Sequence, residues 1–336
     1  MRSLPEVRFA IEPLMQMLHG TVRAKLLLTA VELRVFSSLT RPMGTDSLAG
    51  KIQTHPESTR VFLDALTANG LLCKRNGEYS NAPLAEAFLV EGRPTYLGDV
   101  LIDNVEWTQS CIEGMTDLVK LGPAAAVRPS HSIAWPREAE IHANCQRAGF
   151  AQRAAAIVSQ LPEFPRTRKM LDLGAGPGLI GLAVVAAHPT MTGVLFDKPE
   201  LVSVMQRFVR EYELEERVTV VGGDFCSDPI GEGYDLIWTS YALSLEQLHP
   251  MLHKIRAALN PGGVFVSVAE GVTDEGTQPT AVINAMLHNN LTGRGRMYEE
   301  GQIAQAMLDC GFRSVHSRRT EALDFHGPAT IDIARK

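Results

Sequence analysis

Residues 170–178 read Met-Leu-Asp-Leu-Gly-Ala-Gly-Pro-Gly, a short apolar run with one carboxylate in it, opening into a turn with glycine at every second position. The helix-like stretch LIGLAVVAAHP follows at once. Strand, glycine turn and helix together make the unit with which open α/β sheets bring backbone close to a ligand at their carboxyl edge. Gly174, Gly176 and Gly178 permit a positive φ and leave no Cβ in the way. The spacing is not the dinucleotide fingerprint, because the third glycine comes at Gly178, two residues after Gly176, and position 179 is Leu. Asp172, two residues before the first glycine, is placed to meet a ligand's ammonium group.

Downstream of the turn the pattern alternates: TGVLFD, LVSVMQRFVREYEL, VTVVGGDF, YDLIWTSYAL, LHPMLHKIRAALNPGG, VFVSVAE. Short apolar runs separated by helices of about 10–15 residues predict a parallel sheet with helices on both faces. The fold class is therefore α/β, with a Rossmann-like, doubly wound, mostly parallel sheet over residues 166–336. Its second strand ends at Asp197, where an acidic residue suits a bidentate grip on ribose hydroxyls. Its third ends in Gly-Gly-Asp224-Phe225, a carboxylate and an aromatic ring suited to the edge and face of adenine. Each motif alone fits an ordinary turn or exposed acid. Three of them at successive strand ends point to one ligand.

Upstream the chain is helical. Apolar positions at helical spacing run from Leu14 to Val35, a short helix opens at Thr45, and His55-Pro56 starts another that ends at Asn69-Gly70. Val61, Leu63, Leu66 and Leu71 form its apolar face. Asn76-Gly77 then turns a small hairpin. Helices followed by a two-stranded wing predict a winged-helix domain over residues 1–100. Residues 1–110 hold 3 Lys and 8 Arg against 4 Asp and 8 Glu, a net charge of −1. A DNA-reading face needs the opposite balance, so packing or dimerisation is the expected role. Residues 101–165 read as a helical linker that helps to form the substrate pocket, with helices over 97–121 and 138–161.

The whole-chain charge of −6 likewise disfavours a nucleic-acid partner. Glu6, Arg8 and Glu12 interrupt any signal-peptide core, and no apolar run approaches the roughly 20 residues of a membrane span. Five scattered cysteines without a CxxC read as reduced thiols, not as a disulfide frame or metal cluster. A cytoplasmic protein with no metal and no membrane contact is expected.

LDLGAGPG, FDKPELV, GGDF and the NPGG turn resemble class I S-adenosylmethionine (SAM) methyltransferases. The N-terminal pattern, NGEYSNAPLAEAFL and MLHNNLTGRGR resemble one branch of them, the dimeric small-molecule O-methyltransferases of the caffeate and hydroxyindole type. The resemblance implies SAM as methyl donor, S-adenosylhomocysteine as product, a small-molecule acceptor and a homodimer built on the N-terminal domain. By position it implies that Asp172, Gly174 and Gly176 contact the methionine and ribose parts. Asp197 holds the ribose, and Asp224 and Phe225 hold the adenine. Thr239 or Ser240 faces the cofactor, and Phe150 packs near the methyl group.

The chain departs from that branch at one place. The usual His-Asp pair after the fourth strand falls here on Ser244 and Leu245, within TSYALSLEQLHPM. A serine without an activating partner is no base. His249 starts the next helix instead. Thioether sulfur, thiolate, tertiary amine and electron-rich ring carbon do not need a hydroxyl proton removed before methylation. The gap therefore shifts weight towards S-, N- or C-methylation. EIHANCQRAGF also resembles relatives that methylate carbon in a chlorin ring.

Acceptor-side candidates are His142 and Tyr241, assigned to positioning or polarising the acceptor, with Trp107, Cys145, Met286, Asn290 and Arg294 as pocket residues. His142 and Cys145 are expected to share a helix face at i, i+3. Two alternatives stay open: ordinary O-methylation with another base such as His142, and a SAM-binding regulator without catalysis.

Overall fold

The computed structural model describes residues 8–125, 135–293, 297–320 and 327–336, without the side chains of residues 107 and 110. The chain forms two compact units, Met1–Asp103 and Asn104–Lys336.

In the first unit, α1 (Glu12–Glu32), α2 (Val35–Ser38), α3 (Thr45–Ile52) and α4 (Pro56–Ala68) precede a small antiparallel sheet of order β1-β3-β2, followed by α5 (Pro83–Phe88). The strands are β1 (Met43–Gly44), β2 (Leu72–Arg75) and β3 (Glu78–Asn81). His55 caps α4, its ring nitrogen accepting the Ser58 N–H, and Pro56 opens the helix as the sequence predicts. Asn76 (φ 49°) and Gly77 (φ 81°) both turn left-handed, the geometry of a tight hairpin. Phe36, Leu48, Leu63, Leu66 and Tyr79 make the core. Val61, expected on the apolar face of α4, is instead 56% exposed, because the inward side of the helix is formed by Thr59, Leu63 and Leu66. The first half of α1 is uncovered in the single chain: Leu14, Met17, Leu18 and Val22 are each about two-thirds exposed or more.

The second unit begins within α6 (Gly98–Leu121) and continues through α7 (Trp135–Cys145) and α8 (Ala151–Ser159). One helix over 138–161 is the sequence expectation. The structure breaks it with a π-helical turn over Gln146–Phe150, where Gly149 takes φ 114°. Then β4 (Lys169–Leu173), α9 (Leu179–Ala186), β5 (Thr192–Asp197), α10 (Val202–Glu211), β6 (Val218–Gly222), β7 (Tyr234–Ser240), α11 (Leu248–Ala258) and β8 (Leu259–Ala269) alternate. Past them lie β9 (Gly271–Val272), α12 (Thr280–Leu291), β10 (Tyr298–Glu299), α13 (Gln302–Asp309), β11 (Ser314–Thr320) and β12 (Ala329–Arg335).

The large sheet has seven strands in the order β11-β12-β8-β7-β4-β5-β6. Its β4 to β8 members are parallel, and β12 and β11 run antiparallel at one side. The doubly wound, mostly parallel sheet is thus as expected. The antiparallel pair is an addition that the alternation pattern, which stops at VFVSVAE, does not reach. Strand order reverses between β4 and β7, so the switch point lies beside the 170–178 motif.

Period-two alternation along the strands supplies both cores. Met170, Leu236, Trp238, Val264 and Val266 pack with residues of α8, α9 and α10 on one face. Leu171, Leu173, Ile237, Phe265 and Phe312 pack with α11 and α13 on the other. No helix among the described residues is long and apolar enough to cross a membrane.

Candidate cofactor and acceptor site

The carboxyl ends of β4, β5, β6 and β7 meet around the glycine turn. Gly174, Gly176 and Gly178 all have positive φ, at 74°, 57° and 86°. They do different jobs. A Cβ on Gly174 would lie 2.5 Å from Ala242 Cβ, and one on Gly178 would lie 2.6 Å from Leu195 Cδ1, so these two admit close packing. A Cβ on Gly176 would meet nothing within 4 Å, which leaves open space over its backbone. Gly181 is a fourth such position: a Cβ there would lie 2.8 Å from Asp172 Oδ2. It brings α9 down onto the carboxylate. Its place inside an apolar helix gives no sequence signal of that contact.

Asp172 is 2% exposed, and its Oδ2 accepts the Gly181 N–H at 2.9 Å. Burial is the main force on this group. Removal from water, reinforced by the charge of Asp197 and opposed by the Gly181 N–H, pushes its pKa up to about 7. Asp197, also buried, is clasped by backbone: Oδ2 accepts Gly176 N–H at 2.6 Å and Oδ1 accepts Lys198 N–H at 2.7 Å. Each carboxylate oxygen keeps a second lone pair for a ligand hydroxyl. The Asp197 link fixes the second glycine of the motif to the end of β5, so two strand-end motifs are mechanically one.

Asp224 is exposed and is oriented by its own loop, Oδ1 accepting Cys226 N–H at 2.9 Å. Phe225 is half-buried, with Cε1 3.7 Å from where a Cβ on Gly174 would stand. Thr239 does not offer its hydroxyl: 1% exposed, it donates to the Leu173 carbonyl at 2.9 Å. Ser240 is half-buried at the same strand end. Tyr241 then takes φ 56°, a strained left-handed conformation for a residue with a Cβ, and Ala242 drops over Gly174. The rim thus gathers Asp172, Gly174, Gly176, Asp197, Phe225, Ser240 and Tyr241 around one turn.

The acceptor-side residues are more scattered. His142 and Cys145 do not share an environment: His142 is exposed, whereas Cys145 is buried and donates Sγ–H to the Ile141 carbonyl at 3.1 Å. The i, i+3 spacing fixes their angular separation but not where the burial boundary of α7 falls. Phe150 closes the π-helical turn, half-buried, with the Arg153 guanidinium 4.8 Å above its ring. Met286 and Asn290 lie one turn apart and half-buried on α12. The Trp107 side chain and Arg294 lie outside the described residues. Ser244, at the branch's His position, is exposed and precedes a single 3-10 turn, and His249 is exposed on α11. Among the described residues, no group of three or more His, Cys, Asp and Glu side chains is arranged to hold a metal ion.

This site sits in a chain that matches the O-methyltransferase domain over residues 145–313 and the O-methyltransferase dimerisation domain over residues 15–91. The chain belongs to the O-methyltransferase family, and it is a SAM-dependent methyltransferase. It is 28% identical over 321 residues to the N,N-dimethyltransferase OxyT of Streptomyces rimosus, covering 92% of this chain and 93% of that one. It is 28% identical over 341 residues to the tetracenomycin polyketide synthesis 8-O-methyltransferase TcmO of Streptomyces glaucescens, covering 96% of each. The structure of human N-acetylserotonin methyltransferase in complex with SAM superposes with a TM-score of 0.80 at 20% identity, over 100% of this chain and 99% of that one. The expected family, fold and cofactor are thereby borne out.

Proposed function

We propose that the enzyme methylates a small-molecule nucleophile that carries its lone pair at neutral pH. An amine nitrogen comes first, ahead of thioether or thiolate sulfur and electron-rich ring carbon. The observation that carries this reading is Ser244: exposed and ahead of a 3-10 turn, it has no basic side chain to offer where this branch keeps its histidine. The 28%-identical relative OxyT, named as an N,N-dimethyltransferase, supports nitrogen within the same architecture.

SAM supplies an activated methyl on a sulfonium, for in-line displacement by the acceptor. What the protein must add is alignment. In this reading Asp172 holds the amino group of the methionine part, and the open backbone at Gly176 lets the ligand lie against the turn. Asp197 accepts from the ribose hydroxyls with its remaining lone pairs. Phe225 covers the adenine face, Asp224 receives its amino group, and Ser240 faces the cofactor. Phe150 packs near the transferring methyl. Tyr241, held by its left-handed backbone, and His142 orient the acceptor, with Trp107, Cys145, Met286, Asn290 and Arg294 around it. The acceptor–carbon bond forms as the carbon–sulfur bond breaks. S-adenosylhomocysteine leaves, and a protonated amine product sheds its proton to solvent.

Residues 1–100 are assigned to homodimer formation, for which the uncovered apolar side of α1 is suited, 101–165 to the acceptor pocket and 166–336 to the cofactor. The protein is assigned to the cytoplasm, with neither nucleic acid nor membrane as partner. The test is a matched pair: an aromatic amine and the phenol of the same skeleton, incubated with methyl-labelled SAM. Labelled amine with little labelled phenol is the expected result. Preferential phenol methylation, rising with pH as an enzyme base ionises, would overturn the reading.

A further inference from the structure

The loop that follows β6 carries Asp224 and Phe225 and has little regular structure of its own. It is tied within itself by Asp224 N–H to Asp228 Oδ2 (2.9 Å), Cys226 N–H to Asp224 Oδ1 (2.9 Å) and Asp228 N–H to the Asp224 carbonyl (2.7 Å). These bonds satisfy the Asp224 carbonyl and leave the carbonyls of Phe225, Cys226 and Asp228 to be satisfied from elsewhere. One side chain does so. Lys254, half-buried on α11, donates to the carbonyls of Phe225 (2.9 Å), Cys226 (2.9 Å) and Asp228 (3.0 Å).

An ammonium group has three N–H donors, and here all three go to carbonyls of one five-residue loop. The helix beneath is anchored in the core through Met251, Leu252 and Ile255, so the lysine stem starts from a rigid base. Charge-assisted bonds of this kind are stronger than neutral ones. The loop is therefore set by a residue about thirty positions away in sequence, and Phe225 is set with it.

We propose that Lys254 is a positioning residue for adenine recognition. It fixes the Phe225 backbone so that the ring covers the adenine face and the Asp224 carboxylate meets its exocyclic amine. This rests on the assignment of Asp224 and Phe225 to adenine made above. Lys254 itself touches no ligand. Its effect is on selectivity for the base, not on the methyl transfer or the methionine end.

Isothermal calorimetry of the full chain with S-adenosylhomocysteine and with S-inosylhomocysteine, in which oxygen replaces the adenine amino group, separates these roles. The wild type should prefer the adenine form by about tenfold, the value of one good polar contact. Lys254→Met should weaken S-adenosylhomocysteine by about tenfold and bring the preference close to one. Lys254→Arg, which keeps the charge and the donors, should restore most of the preference. A purely structural lysine would weaken both ligands equally and leave their ratio unchanged, and that result would overturn the proposal. Phe225→Ala and Asp224→Ala test the underlying assignment separately. If they bind both ligands as the wild type does, that assignment fails. If they lose affinity or preference while Lys254→Met does not, only the role of Lys254 fails.

Discussion

The sheet rim and the α7–α8 segment are held together in opposite ways. At the rim, three buried polar side chains are fixed by backbone: Asp172 by Gly181 N–H, Asp197 by Gly176 N–H, Thr239 on the Leu173 carbonyl. Two of the contacts tie neighbouring strand ends, β4 with β5 and β4 with β7, and the third ties β4 to α9, so one residue cannot move without its partners. The α7–α8 segment buries Ala139, Ala143, Ala154 and Val158 in the core, and its polar contacts are made between side chains on its outer side. Glu140 pairs with Arg207 at 2.5 Å, Arg147 with Glu211 at 2.7 Å, and Lys198 lies 3.4 Å over the Trp135 ring. A rim made of backbone suits a ligand that does not change, and a segment latched by side chains fits the acceptor role proposed for it above.

The sharpest way to break this contrast is at the rim. Gly174→Ala should cost about 2–4 kcal/mol, because it adds left-handed strain to a 2.5 Å clash with Ala242. Gly176→Ala has the strain without the clash, so it should cost only about 1–2 kcal/mol while abolishing calorimetric binding of S-adenosylhomocysteine. Equal stability losses in urea titrations would show that the two glycines are not doing different jobs.

A smaller, pH-dependent effect comes from Asp172. Its folded pKa of about 7 stands above the unfolded carboxylate value, so the folded protein holds a proton that the unfolded chain has lost. Stability of the ligand-free protein should therefore fall as pH rises through the window from about 4 to 7, then level off. Binding of a ligand ammonium needs the ionised form, so affinity for S-adenosylhomocysteine should climb from pH 6 to 8 by up to about tenfold. Asp172→Asn should flatten both curves. If the variant keeps the wild-type slopes, the titrating group lies elsewhere.

The smallest effect is expected at the latch. Glu140→Gln removes an ion pair whose two side chains are 45% and 48% exposed, and should cost under about 1 kcal/mol in a denaturant midpoint measurement. A cost as large as that of Gly174→Ala would erase the distinction between the two regions.

The same contrast governs what the sequence discloses. Rim residues sit at strand ends in motifs of fixed spacing, because backbone geometry dictates glycine at a positive φ and acid at a strand terminus. Gly174, Gly176, Asp197 and Phe225 are therefore legible one by one. Gly181 and Lys254 are not, since each acts on a partner brought near only by the fold. Helical spacing pairs His142 with Cys145, but spacing gives an angle about the helix axis and not the side that meets the core. The π-helical turn over Gln146–Phe150 shifts that phase again. Strand β11 escapes for another reason. SVHSRRT is an edge strand with four exposed positions among seven, so it lacks the apolar run that marks the parallel strands.

The antiparallel pair of β11 and β12 bears on how the molecule is made. β12 lies between β8 and β11, although β8 comes from residues 259–269 and β12 from residues 329–335. During synthesis, β8 is complete well before the strand that will cover its outer side exists. For that interval the nascent sheet presents a row of unpaired N–H and carbonyl groups beside Val264, Val266 and Val268, an open template for another chain. Translation speed over residues 270–335 thus sets how long the half-made enzyme is open to sticking, and slow codons there would lower soluble yield without altering one residue of the finished protein.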